Sequence, residues 1–363
     1  MSAVDLSNLT TAERVGQSCL TNFDCNAGLE RRIMNCHWQS GYVCGCGSYT
    51  SQMSGPDCTD LTPGSAGMVV GRSLQALSLL VVLVVALRYL PFAGRRCNFS
   101  LSILLWIFWG ATLMLISRLV SIANFSVPMD YYVVDSVTSV FEAAGASLCI
   151  VGALNLSLMW IEFVLATKRL ERLSNNLRLT KKILVGYMIG FCVMQAILLI
   201  LQIAVSGAFY NLTMGLSLIT AIVIIITFLV GASKLNKVYG KAAATERASA
   251  STIQTSATMQ VGQTQEEEEL AIEEAKAMAS KKLAAADSLD ARAKRIARTA
   301  RLVAIGFGTF VLATVVWLIV RPLMIIGLEW AVASVMQAGA CFAGAAIAMY
   351  VGGTLQKRKV GPQ

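Results

Sequence analysis

The stretch "GMVVGRSLQALSLLVVLVVALRYL" (Gly67–Leu90) decides the fold class. It runs 24 residues with only two charges, Arg72 and Arg88, one near each end. A helix of about 20 apolar residues crosses a ~30 Å hydrocarbon core, and no soluble fold needs so long a run without polar alternation. Six further segments share its character, at about Phe99–Ile122, Tyr131–Ala166, Ile183–Ala204, Met214–Ser233, Leu302–Arg321 and Leu328–Gly352. The third is long enough to tilt or to project beyond the bilayer. None alternates with period two, which excludes a β-barrel reading. The composition agrees: 56% hydrophobic and 14% charged, with mean hydropathy +0.63, against about one quarter charged in soluble domains. The expectation is an all-α polytopic membrane protein with seven transmembrane helices and a small disulfide-rich N-terminal module.

The net charge of +9 is concentrated at the ends of the apolar runs. That pattern orients a membrane protein and does not make a phosphate-binding face, so no nucleic-acid partner is expected. Arg88, Arg95 and Arg96 follow the first segment. "TKRLERLSNNLRLTKK" (Thr167–Lys182) carries six basic residues, the stretch from Lys234 to Arg301 carries twelve, and the tail holds "QKRK" (Gln356–Lys359). Together these loops hold 24 of the 30 Lys and Arg residues, whereas the alternate loops 123–130, 206–213 and 322–327 hold none. The positive-inside rule then puts the N-terminus outside or in the lumen and the C-terminus in the cytoplasm. Sequons at Asn8, Asn124 and Asn211 fall on the expected outer side and are candidate glycosylation sites; those at Asn98 and Asn155 fall inside or within the membrane. The first nineteen residues have no apolar core of a signal peptide, so the first membrane segment is expected to translocate the tail.

The expected organisation is an outer tail at 1–66, helices one to five at 67–233, a cytoplasmic loop at 234–300, helices six and seven at 301–353, and a basic cytoplasmic tail at 354–363. In the loop, "TERASASTIQTSATMQVGQTQ" (Thr245–Gln265) lacks apolar periodicity and reads as disordered. "EEEELAIEEAKAMASKKLAAADSLDARAKRIARTARL" (Glu266–Leu302) has no Gly or Pro, with acids early and bases late, which favours a helix running into the sixth segment. It reads as a solvated helical extension or as a docking element for a cytoplasmic partner at 266–300.

Six of the ten cysteines, Cys19, Cys25, Cys36, Cys44, Cys46 and Cys58, crowd the first 58 residues. An even, dense set in a short polar segment argues for disulfides in an oxidising compartment. Zinc is the rival reading, but the stretch has no CxxC pair and one histidine, His37. The spacing C-x5-C-x10-C-x7-C-x-C-x11-C, with "CGC" at Cys44–Cys46 and Gly55 three before Cys58, resembles an EGF-like module. That resemblance covers about 40 residues. It implies the pairs Cys19–Cys36, Cys25–Cys44 and Cys46–Cys58 and a surface for an extracellular or lumenal protein partner. The residues before Cys19 lack the acidic pattern of the calcium-binding subclass, so no calcium site is expected.

Ionisable side chains inside apolar segments are functional candidates. Arg72, Arg118 and Glu142 all lie toward the outer leaflet and can meet as an intramembrane polar site, functional or structural. Arg321 and Glu329, at segment ends, read as snorkelling to the interface. Glu162, roughly 30 Å along the helix from Glu142, is expected near Lys168, Arg169 and the basic start of the fourth segment. That group reads as a cytoplasmic latch or a plain interfacial salt bridge.

Seven helices, an outer N-terminus and a long fifth loop resemble the layout of G-protein-coupled receptors. The chain departs from their motifs: Glu162 and Lys168-Arg169 stand where Asp-Arg-Tyr would, "AIAMYVGG" (Ala346–Gly353) has no Asn-Pro-x-x-Tyr, and "VVWLIVRP" (Val315–Pro322) lacks the CWxP spacing. "LMWIEFVLATKRL" (Leu158–Leu170) resembles the third-helix Trp-x-Glu stretch of the plant tobamovirus-multiplication-factor family, which implies an endomembrane scaffold. The seventh segment has no lysine for a retinal Schiff base, and no GxSxG, HExxH, P-loop or paired-carboxylate motif occurs, so neither enzyme activity nor a cofactor or metal is expected. The leading reading is a receptor-like membrane protein in the plasma membrane or an endomembrane. The alternative is a non-signalling scaffold or subunit of a larger membrane assembly, and a channel or transporter ranks below both for want of internal repeats or broken helices. The charge pattern predicts that tags at the two termini of the protein in sealed vesicles are not cleaved together by added protease. Cleavage of both would refute the odd helix count.

Overall fold

The computed structural model describes residues 7–14, 16–19, 25, 34–38, 42–46, 63–93, 98–126, 131–166, 171–204, 209–259, 265–320 and 326–357. Two parts of the chain appear there. The first is a small head built from α1 (Thr11–Arg14), β1 (Met34–Trp38) and β2 (Tyr42–Cys46). The second is a bundle of long helices: α2 (Pro63–Ala93), α3 (Asn98–Ser126), α4 (Tyr131–Ala166), α5 (Glu171–Ala204), α6 (Phe209–Met259), α7 (Gln265–Val320) and α8 (Ile326–Lys357). Among the described residues seven helices, α2 to α8, are long and apolar enough to cross a membrane. The chain has the architecture of an integral membrane protein.

The helices are apolar on both faces, as a lipid-facing bundle requires. On α2, Leu79, Val82, Leu83 and Ala86 are buried, while Val70, Leu74, Leu77, Val81 and Val84 form an outward stripe that is half or more exposed. The same holds for Leu312 and Ile319 on α7. Consecutive helices pack side by side from α2 to α8, and α8 closes back on α2. Helix α4 occupies the middle, touching α3, α5, α6 and α8. Near its C-terminal end Trp160 is fully buried, with edge-on contacts to Phe228 of α6 at 5.0 Å and Tyr350 of α8 at 5.6 Å between ring centroids. Offset aromatic contacts of this kind add to the area they bury.

Lipid tails are as apolar as leucine, so burial against lipid gives helices little reason to associate; close packing does. Two crossings achieve it with glycine on both sides. A Cβ on Gly145 of α4 would lie 2.6 Å from the Gly110 carbonyl of α3, and one on Gly110 would lie 2.7 Å from that of Gly145. Gly306 of α7 and Gly339 of α8 meet in the same way, at 2.7 and 2.8 Å.

Helix α6 runs unbroken past residue 233, and α7 runs unbroken through residue 301. At 1.5 Å per residue the 56 residues of α7 span about 84 Å, far beyond a ~30 Å hydrocarbon core. The segment read as disordered is helical as far as Met259; residues 260–264 lie outside the described ones. Its packing escapes a search for large apolar residues because the contact side chains are alanines. Ala243 and Ala250 on α6, and Ala279, Ala286, Ala293 and Ala300 on α7, recur every seven residues and are all buried. A seven-residue repeat holds one seam of a helix against its partner. Arg247 pairs with Asp287 at 3.2 Å and with Asp290, and Lys282 with Glu246 at 3.1 Å, across that seam. Hydroxyls that would compete with the helix bond back to it, as Thr252 and Thr255 do to the Ala248 and Ser251 carbonyls. The extension from Glu266 into the sixth segment is helical as expected.

Replacing Gly145 or Gly339 with Val is expected to cost about 1–3 kcal/mol through overpacking. Gly186→Ala, where an added Cβ meets nothing within 4 Å, is expected to be neutral. Thermal unfolding in detergent reads the difference.

Candidate functional site

Arg118 reaches out from α3 and Glu142 from α4, and the structure brings them together as a two-pronged ion pair. Arg118 Nη1 donates to Glu142 Oε2 at 2.6 Å and Nη2 to Oε1 at 2.8 Å. Nη2 also donates to Gln337 Oε1 of α8 at 3.2 Å. Arg72 of α2 stands 3.9 Å from Glu142 Oε2, donates to Gln75 Oε1 at 3.3 Å and lies over the Trp330 ring at 5.3 Å. All three residues singled out in the sequence therefore meet, and four helices contribute to the cluster. The Arg118 side chain is 3% exposed and that of Glu142 33%, because the carboxylate faces a cavity. A planar guanidinium fits a carboxylate in this geometry where a lysine would not.

The cavity has a volume of about 160 Å³ and is lined by side chains from all seven long helices. Its wall is mainly apolar, with Leu79, Val82, Met114, Phe307 and Phe310 among its members. Glu142, Gln195 and Gln337 are its larger polar groups. Arg72 and Arg118 do not line it; they stand behind the Glu142 carboxylate. It sits in the half of the bundle nearer the α3–α4, α5–α6 and α7–α8 connections, as the early lining positions on α4 and α6 require. Gln195 and Gln337 escaped the sequence reading. Their signal was present: each is a lone amide in an apolar run, in "VMQAILLI" (Val193–Ile200) and "SVMQAGACF" (Ser334–Phe342). Cys341 of the same run accepts from Ser78 Oγ at 3.4 Å and Gln337 Nε2 at 3.5 Å.

At the other end of α4, Glu162 accepts from Lys181 Nζ of α5 at 2.6 Å. Both side chains are about two-fifths exposed, and such a pair contributes little in water. Lys168 and Arg169, the other expected members, lie outside the described residues. So does Arg321. Glu329, expected to snorkel, is buried by protein in the first turn of α8.

In the head, a disulfide joins Cys25 to Cys44, with Cα atoms 5.5 Å apart. Cys19 is also disulfide-bonded. The sulfurs of Cys19, Cys25 and Cys44 cluster within 4.8 Å, but oxidised sulfurs have no thiolate to offer a metal. Antiparallel β1 and β2 set Cys36 opposite Cys44; the side chains of Cys36 and Cys46 and the whole of Cys58 lie outside the described residues. The Cys44 backbone also exchanges hydrogen bonds with Gly16 and Gln17, both at 2.8 Å, and Gly16 takes φ +83°, where an L side chain is strained. Arg14 is buried here and donates to the carbonyls of Leu9, Cys25 and Ser7 at 2.8, 3.1 and 3.3 Å. Glu13 closes the first turn of α1 by accepting from the backbone N–H and hydroxyl of Thr10, at 2.8 and 2.7 Å. Those bonds hold its carboxyl below its ordinary range, so their contribution is present at neutral pH and lost as the pH falls through the acid range. Asn8 is exposed; Asn124 and Asn211 sit in the last turn of α3 and the first of α6.

Searches against known protein families and curated proteins find no match to this chain.

Arg118→Ala removes both short bonds to the Glu142 carboxylate and leaves it the more distant Arg72, 3.9 Å away, and is expected to cost about 3 kcal/mol. Removing both partners together is expected to cost less than the two single losses combined, read as unfolding free energies in a double-mutant cycle.

Proposed function

We propose that the chain is a receptor-like seven-helix membrane protein, with its cysteine-rich N-terminus outside or in the lumen and its C-terminus in the cytoplasm. The head is an EGF-like module for protein contacts, supported by the Cys25–Cys44 disulfide and the two-stranded hairpin that carries Cys44. The observation that carries the reading is the double role of α6 and α7. Thr213, Ser217 and Ala221 of α6, with Phe307 and Phe310 of α7, line the cavity, and the same two helices continue unbroken as the alanine-seamed hairpin. A change in how the cavity is filled therefore acts directly on two rods whose far ends reach the cytoplasmic side, where residues 266–300 dock a partner. The basic residues of those loops face the inner membrane surface and its lipids, as the distribution of Lys and Arg supports.

The test fills the cavity by mutation. With Cys192→Ser to remove an exposed native thiol, spin labels are placed at exposed Ser280 on the hairpin and exposed Lys182 on α5. Ala340→Phe, from the cavity wall, is expected to move their separation by about 2 Å or more, the scale of helix shifts in switching proteins. An unchanged separation contradicts receptor-like coupling and favours the scaffold reading.

A further inference from the structure

Where α6 and α7 leave the apolar bundle, their charges form a ladder. Lys234, Lys237 and Lys241 stand at i, i+3 and i+7 on α6, and Lys294, Arg298 and Arg301 at i, i+4 and i+7 on α7. Each set occupies one face of its helix, and all six side chains are exposed. The pairing of Arg247 with Asp287 and Asp290 fixes the antiparallel register. Counted from it, Lys241 comes level with Lys294, Lys237 with Arg298 and Lys234 with Arg301, three rungs about 5 Å apart. The two sets also share a side of the hairpin. Lys294 follows Asp290 by four residues and Asp287 by seven, and Lys237 precedes Arg247 by ten, spacings that return to one face. The opposite side is turned to α8, where Arg295 donates to the Gly353 carbonyl at 3.2 Å.

Each rung sets two cations side by side, an arrangement that costs free energy unless an anion lies between them. Farther out the hairpin supplies the anion itself: Lys282 meets Glu246 at 3.1 Å, and Arg247 meets its two aspartates. On the ladder it does not. No Asp or Glu occurs from 234 to 245 or from 291 to 301, and none of the six bases has an ion pair among the described residues. Glu162 of α4, at the same end of the bundle, is taken by Lys181. A polyanion from outside the chain completes the ladder.

The surface beneath identifies that polyanion as a lipid. Val230, seven residues before Lys237, is 47% exposed, and Ile305 and Leu312, seven and fourteen after Arg298, are 59% and 68% exposed. They make a lipid-facing strip directly below the bases, where acyl chains lie while the headgroup meets the ladder. The ladder's height restricts that headgroup. It rises about 10 Å from Lys234 to Lys241, whereas each headgroup layer of a bilayer is only about 5–8 Å deep. A single phosphodiester reaches the lower two rungs; the third needs phosphates carried farther out.

We propose that the membrane-proximal face of the α6–α7 hairpin binds a phosphoinositide, a phospholipid whose inositol headgroup carries extra phosphates, with those phosphates held between Lys241 and Lys294. The proposal rests on the reading that puts this hairpin at the inner membrane surface and names the lipid it meets there.

Native mass spectrometry of the full chain in detergent tests it by counting bound lipids. One phosphatidylinositol bisphosphate is expected per chain, bound about tenfold or more tightly than phosphatidylserine, with phosphatidylcholine weaker still. Lys241→Gln with Lys294→Gln should bring the bisphosphate down to the affinity of phosphatidylserine. Lys276→Gln with Lys281→Gln removes as much charge from exposed positions farther out and should change neither affinity. Soluble inositol trisphosphate, which lacks acyl chains, should compete poorly at equal concentration. Equal affinity for the two anionic lipids, a preference that survives the ladder variant, a loss as large in the outer variant, or full competition by inositol trisphosphate would each overturn the proposal. The hairpin's placement is read separately, with an impermeant thiol reagent on sealed cells carrying Ser280→Cys and Cys192→Ser. If the lipid binds as expected but Ser280→Cys is labelled from outside, the site stands and the cytoplasmic placement fails. If that position is protected and no lipid preference appears, the lipid class fails alone.

Discussion

A guanidinium and a carboxylate enclosed in an apolar bundle are tolerable only in each other's company. The Arg118–Glu142 pair is that obligation, and the arrangement of the surrounding helices follows from it. It fixes α3 against α4 by two parallel hydrogen bonds, reaches α8 through Gln337 and leans on Arg72 of α2. The same antiparallel register continues inward, where Gly110 and Gly145 let the two backbones touch and Met114 lies over Gly145. Electrostatics and close packing thus specify one alignment of α3 on α4. The pair also closes one side of the cavity, because the carboxylate that Arg118 holds is the polar face the cavity sees.

What could be read from the chain alone was what is local in it. Helix length and loop charge depend on consecutive residues, and so seven long helices were visible. Lone charges in apolar runs are conspicuous because each must find a partner, and Arg72, Arg118 and Glu142 were named on that ground. Their geometry was not visible, since the partner that completes the set, Gln337, is 219 residues from Arg118 and uncharged. Glu162 was expected to meet a base beside the fourth segment; Lys181 is the one that meets it among the described residues. The glycine crossings were hidden because a small residue announces nothing until the opposing backbone is known. The hairpin was misread for a related reason. A seam of alanines gives almost no hydropathy signal, and the Ser and Thr residues of 245–259 look like a linker until their hydroxyls are seen bonding back along the helix.

The two soluble-looking parts of the chain are stabilised by different physics. The head is too small to bury a sizeable core, so cross-links and a buried arginine binding three carbonyls do that work. The hairpin needs no cross-link, because it continues two helices already aligned by the bundle. It adds an alanine seam and short ion pairs to a register the membrane part has chosen. That continuity carries both helices without a break from the cavity wall into the hairpin.

The whole arrangement requires that Arg118 be locked in place by Glu142. Nitrogen-15 spectra of arginine side chains, on protein labelled only at arginine, test it most directly, with Arg118→Lys identifying the resonance. A guanidinium held by two parallel bonds cannot rotate freely about its Cζ–Nη bonds. Separate, slowly exchanging Nη signals are expected for Arg118, and they merge in Glu142→Gln. A single averaged Nη signal for Arg118 in the unmodified protein, like that of an exposed arginine, would contradict the lock.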